Sequence, residues 1–137
     1  MTDRRSLLRT SLQANAIFST LSGLVFLVGA ERVAEGIGLG DARLLLATGL
    51  NLLGFAALLA YLGSRPAIHL GLAMAVVWAD LAWVVGTIPV VALDLLNRTG
   101  AIAAVAIADV VLLFAVLQYL GIRRLRSTPV EGDGSIP

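Results

Sequence analysis

The chain has 137 residues, 58% of them hydrophobic and 14% charged, with a mean hydropathy of +0.92 and a formal net charge of +1. Soluble domains carry about a quarter charged residues, so this composition belongs in a bilayer, and the near-neutral charge leaves no basic surface for nucleic acid. The absence of Cys excludes disulfides and thiolate metal centres, and a single histidine, His69, excludes a multi-His metal or bis-His haem site within one chain; no cofactor or metal is expected.

Four apolar runs follow in chain order, about 12–30, 44–62, 68–88 and 101–121. Each is roughly 20 residues, the length that crosses about 30 Å of hydrocarbon at about 1.5 Å per residue. They are continuous Leu/Ala/Val runs without the period-two alternation of a transmembrane barrel, so helix is the way to satisfy their backbones in lipid. The expected fold is all-α, a four-transmembrane-helix bundle of two consecutive hairpins over residues 1–126. Arg4 and Arg5 ahead of the first run suggest a secretory or twin-arginine signal. The polar interruptions at Asn15, Ser19, Thr20 and Ser22, and the need of three other spans for a fourth partner, favour a retained helix.

The connections are distinct. Glu31 to Arg43, with three Gly and mixed charge, reads as a solvated loop, and Gly63-Ser64-Arg65-Pro66 as a tight turn. Within Pro89 to Gly100, the stretch Val90–Leu96 reads as a short interfacial helix or an extension of the third span. The tail 127–137, rich in Pro, Gly, Asp and Ser, has nothing to bury and is expected to be disordered. Arg4, Arg5, Arg9, Arg65, Arg123, Arg124 and Arg126 fall on one side of the bundle, against Arg32, Arg43 and Arg98 on the other. The positive-inside rule then puts both termini in the cytoplasm. Tyr61-Leu62-Gly63-Ser64-Arg65 matches Tyr119-Leu120-Gly121-Ile122-Arg123 at an offset of 58 residues. Duplication and convergent helix-end chemistry explain this equally well.

Two carboxylates, Asp80 and Asp109, cannot be assigned to a loop. An Asp at a helix centre costs about 2.5–3.5 kcal/mol on insertion scales, which makes each a functional hypothesis by default. Counted from the span centres, both lie about two residues toward the outer side, and Asn51 and Ser22 come out at the same depth within about a residue. The functional reading is a polar centre in which Asp80 and Asp109 share or exchange a proton, hydrogen-bonded by Asn51 and Ser22, because two close carboxylates in low dielectric cannot both stay ionised. The competing reading is adhesion between helices, worth roughly 0.6 kcal/mol per contact. Trp78, mid-span beside Asp80, would line the cavity and donate its indole N–H, or fill the bundle core. Asn15, Ser19 and Ser22-Gly23 form one small polar face of the first span, suited to close packing. His69 is expected at the inner interface.

Arg43 to Arg65, and Ala108-Asp109 through Tyr119-Leu120-Gly121-Ile122-Arg123-Arg124, resemble the small four-helix membrane proteins of high-GC bacteria that are loosely grouped as DoxX-like. The resemblance lies in span layout and helix-end Gly/Arg pattern, and implies a bacterial inner membrane as the home; it carries no functional residues. No nucleophile with an activating base is evident, so an enzyme is not expected. The expected function is to bind or conduct a proton, ion or polar small molecule, as a transporter, channel or subunit; the alternative is a non-catalytic accessory or scaffold protein. Membrane lipids and a second copy or partner subunit are the expected partners, since four helices alone leave little room for a pathway.

Overall fold

The computed structural model describes residues 3–127, with side chains from Ser6 onward. All regular structure among them is helical: α1 (Asp3–Val28), α2 (Ala30–Ile37), α3 (Ala42–Ser64), α4 (Leu70–Ala92) and α5 (Arg98–Arg126). The long helices α1, α3, α4 and α5 are apolar and long enough to cross a membrane. Most of their surface faces outward: Ile17, Leu50, Val85 and Ile102 are all more than 60% exposed. That is the arrangement of a chain whose solvent is lipid, because apolar side chains gain nothing by hiding from hydrocarbon. The expected tail lies outside the described residues except for Ser127, which caps α5.

The expected loop from Glu31 to Arg43 is instead largely helical. Ala30, Val33, Ala34 and Ile37 recur at i, i+3, i+4 and i+7, so one face of α2 is apolar and docks on α3 and α5, while Glu31, Arg32 and Glu35 point away. Gly38 ends α2 in the left-handed conformation at φ 73°, and a Cβ there would meet Asn97 N at 2.9 Å. Asn97 latches this turn to the start of α5. Its backbone N–H donates to Ile37 O at 2.8 Å, its Nδ2 to Gly36 O at 3.0 Å, and its Oδ1 accepts from Gly100 N. Asp41 caps α3 by accepting from Arg43 N at 2.9 Å, and the Arg43 guanidinium and N–H hold its carboxyl below the usual carboxylate range. The Val90–Leu96 stretch resolves as an extension: α4 runs through Pro89 to Ala92 before a turn at Asp94, φ 53°.

Two close approaches set the packing. Gly23 on α1 faces Gly49 on α3 so tightly that a Cβ on Gly49 would sit 2.9 Å from Gly23 O. A Cβ on Gly121 of α5 would meet Leu8 Cβ of α1 at 2.9 Å. Small residues therefore draw α1 against both α3 and α5, the device of membrane helices that lack a hydrophobic driving force. The Leu8–Gly121 approach also puts the start of α1 and the end of α5 at one end of the bundle. There Arg9 Nη2 donates to Arg65 O at 2.9 Å and Pro66 O at 3.3 Å, tying α1 to the α3–α4 turn. Around the bundle the order is α3, α1, α5, α4: α4 packs along α5, α3 and α4 barely meet, and no Cα of α1 lies within 8 Å of one of α4.

Gly49→Val should disrupt the α1–α3 crossing and lower stability by about 1–3 kcal/mol, read as an earlier unfolding midpoint in detergent. Gly54→Val, on the same helix with nothing within 4 Å of its would-be Cβ, should leave the midpoint within about 0.5 kcal/mol of the parent.

Candidate functional site

Tight packing of α1 on its two neighbours leaves the middle of the bundle unfilled toward α4. A cavity of about 200 Å³ lies there, lined by side chains from all four long helices. Asp80 projects into it from α4, on the stripe Ala73, Val76, Val77, Asp80 that turns inward at helical spacing. Its carboxylate is 3% exposed. Oδ2 accepts from Asn15 Nδ2 of α1 at 2.9 Å, and Asn15 Oδ1 accepts from Ser19 Oγ at 3.2 Å. Because the α1 and α4 backbones stand apart, this bond reaches across the bundle. Among the described residues Asp80 Oδ1 has no hydrogen-bond partner, and Asp80 is one of the side chains that line the cavity.

The structure gathers three of the five expected residues. Asp80, Asn51 and Ser22 all line the cavity. Trp78 and Asp109 do not. Trp78 is 66% exposed on the outer face of α4. Two residues from Asp80 at about 100° per residue amounts to about 200° around the helix, so equal depth turns Trp78 away. Trp83, three residues on and about 300° around, returns to the same side and lines the cavity. On α5 the buried stripe is Ala108, Val111, Ala115 and Gln118, and Asp109 falls just past it, exposed, with no hydrogen bond or ion pair among the described residues. Asp80 and Asp109 are therefore not brought together within one chain.

Several residues gain importance beyond their reading in sequence. Asn15, taken there as part of a packing face, is the partner of Asp80, and the signal was present in the spacing Ser11, Asn15, Ser19, all buried at i, i+4, i+8. Aromatic rings from Phe18, Phe26, Phe55 and Trp83 make up much of the wall, and Phe18 is braced by Phe114 of α5 with ring centroids 5.8 Å apart. Gln118 is wholly buried at 0% exposure, and neither Nε2 nor Oε1 has a hydrogen-bond partner. It sits between the Leu8–Gly121 and Phe18–Phe114 contacts, opposite the stretch of α1 that carries Ser11 and Asn15. His69 lies outside this centre. It caps α4, its Nδ1 accepting from Leu72 N at 3.1 Å.

No group of three or more His, Cys, Asp or Glu suited to a metal occurs among the described residues. Comparisons with protein-family models, curated proteins and solved structures return no match. The likeness to DoxX-like proteins is thus neither supported nor refuted, and the site rests on its geometry.

That geometry separates two kinds of buried polar residue. Asn15→Leu removes the only protein partner of a buried carboxyl and should lower stability by about 1–3 kcal/mol. Gln118→Leu removes an amide that is buried without partners, and should raise stability by a similar amount. Unfolding midpoints of both variants in detergent check the opposite signs.

Proposed function

We propose that this chain is a multi-pass protein of a bacterial inner membrane whose Asp80 centre binds or conducts a proton, ion or polar small molecule, as a transporter, a channel or a subunit of one. One observation carries the reading: a buried carboxyl on a membrane-length helix commits one oxygen to Asn15, has no described partner for the other, and lines a cavity shared by four helices. A residue kept only to hold helices together has no need of the second, open face. Asn51 and Ser22 extend the polar lining on the far side of the cavity, and Asp109 takes no part in it.

Arginine placement supports the orientation. Arg123, Arg124 and Arg126 fill the last turn of α5 at the end that also carries Arg9 and Arg65, which makes that end the cytoplasmic one. The outward face of Asp109 supports an oligomer or partner subunit. A carboxyl facing hydrocarbon mid-span costs about 2.5–3.5 kcal/mol, a cost that a polar group on a neighbouring protein offsets.

The alternative, an accessory or scaffold protein, draws on the same Asn15–Asp80 bond, since it ties α1 to α4 where their backbones do not touch. Asp80→Asn distinguishes the two, because an amide of the same shape keeps a hydrogen bond to Asn15 while losing the ionisable group. In liposomes under an imposed pH or sodium gradient, the proposal expects a flux above that of empty vesicles that falls at least tenfold in Asp80→Asn, with folded yield unchanged. Equal flux in a folded variant sinks the proposal. Loss of folded protein in step with loss of flux favours the scaffold.

A further inference from the structure

The chemistry of the cavity wall narrows the ligand. Of the groups that line it, Asp80 alone is ionisable, and four of the lining residues, Phe18, Phe26, Phe55 and Trp83, are aromatic. A hard inorganic cation asks for about six or more oxygen ligands. Here the side-chain oxygens that line the cavity with capacity to spare are few, Asp80 Oδ1, the Ser19 and Ser22 hydroxyls and the Asn51 amide, since Asn15 Oδ1 accepts from Ser19 and its Nδ2 donates to Asp80. A proton alone needs no aromatic chamber. One negative charge among aromatic faces is the composition that receives an ammonium group carrying alkyl substituents, by charge pairing in low dielectric and by attraction of the cation to ring faces. At about 200 Å³ the space falls below the roughly 300–1,000 Å³ of sites for drug-sized ligands, so the molecule is small.

The way in agrees with this. Asn51 on α3 and Ala79 on α4 both line the cavity and are both exposed on the bundle surface. They place the cavity beside the surface between α3 and α4, the neighbouring helices that barely meet, and we infer that a ligand enters there, sideways from the bilayer. A strongly hydrated inorganic ion does not travel through hydrocarbon. Alkyl groups enlarge a cation and weaken its hydration, so a small organic ammonium ion loses less on leaving water for such a portal than an inorganic ion does.

We propose that the Asp80 centre binds a small organic ammonium ion, admitted from the bilayer between α3 and α4 and held by the Asp80 carboxylate against the Phe18, Phe26, Phe55 and Trp83 rings. The inference rests on the reading of this centre as a ligand site and names its ligand class. Because the chain has two Trp, Trp78→Phe leaves Trp83 as the sole indole reporter inside the cavity. Emission of that variant in lipid nanodiscs is titrated with choline, with tetramethylammonium, with sodium chloride at matched ionic strength, and with 3,3-dimethylbutan-1-ol, the uncharged isostere of choline. The expected result is a saturable change with both ammonium ions, at least tenfold weaker binding of the alcohol, no response to sodium, a several-fold weaker response in Phe55→Leu, and loss of response on adding Asp80→Asn. Equal responses to choline and its neutral isostere, or a response indifferent to Asp80→Asn, overturn the inference and assign the cavity to lipid tails. Asp80-dependent proton or sodium flux without ammonium binding overturns it while leaving the broader reading intact. Absence of both overturns the two together.

Discussion

A single hydrogen bond, Asn15 Nδ2 to Asp80 Oδ2 at 2.9 Å, joins two helices whose backbones never approach each other. Everything distinctive about the bundle follows from the separation this bond spans. Glycine crossings hold α1 close to α3 and α5, α4 packs chiefly along α5, and beside the shared core of Leu12, Leu59, Val76 and Val77 the bundle keeps a cavity among all four long helices. In a soluble core such a gap would cost stability through lost contacts. In a membrane bundle the same gap gives a carboxylate a polar partner on one side and open volume on the other.

The partition of polar residues sharpens the picture. Ser11, Asn15 and Ser19 run up the buried side of α1, and Gln118 lies opposite them on α5. Asp109 and Trp78 occupy the outer face. A bundle built only for adhesion would place its most costly polar group where two backbones pack. This one places small residues at the close crossings and its carboxylate where the backbones part. The α2 helix and its Asn97 latch cover part of the end away from the arginine cluster by packing on α3 and α5. The α3–α4 side is left as the weak seam.

The long spans were legible because a bilayer imposes a length and a composition that nothing else in the sequence imitates. The end of α3 followed from the Gly63-Ser64-Arg65-Pro66 turn, where the residue types do local work that needs no partner. The α2 helix was hidden by three glycines and mixed charges, although the Ala30-Val33-Ala34-Ile37 spacing carried its amphipathic face. Position along each span was also readable, since rise per residue is fixed, and Asp80, Asn51 and Ser22, counted to one level, line one cavity. Azimuth was not. Which way a residue faces depends on which neighbours the helix packs against, and a span that is apolar all round gives no stripe from which to infer that. Trp78 and Asp109, assigned to the centre by their place along the spans, face outward, whereas Trp83, about a turn on from Asp80, lines the cavity. Asn15 could have been promoted by its i, i+4 alignment with Ser11 and Ser19. Nothing in the sequence pairs it with Asp80 rather than with a residue of α3 or α5.

The central claim is that Asp80 is reached from the bilayer through the seam between α3 and α4. A hydrophobic carbodiimide, which modifies carboxyl groups from within lipid, measures this directly when its adducts are mapped by mass spectrometry on the protein in liposomes. Asp109, exposed on the outer face of α5 in the single chain, serves as the internal control for reagent delivery in protein diluted into lipid until no neighbouring copy covers it. An adduct on both residues, with the Asp80 adduct lost when Asn51→Trp blocks the seam and the Asp109 adduct kept, is the result the structure predicts. Modification of Asp109 with Asp80 untouched contradicts it.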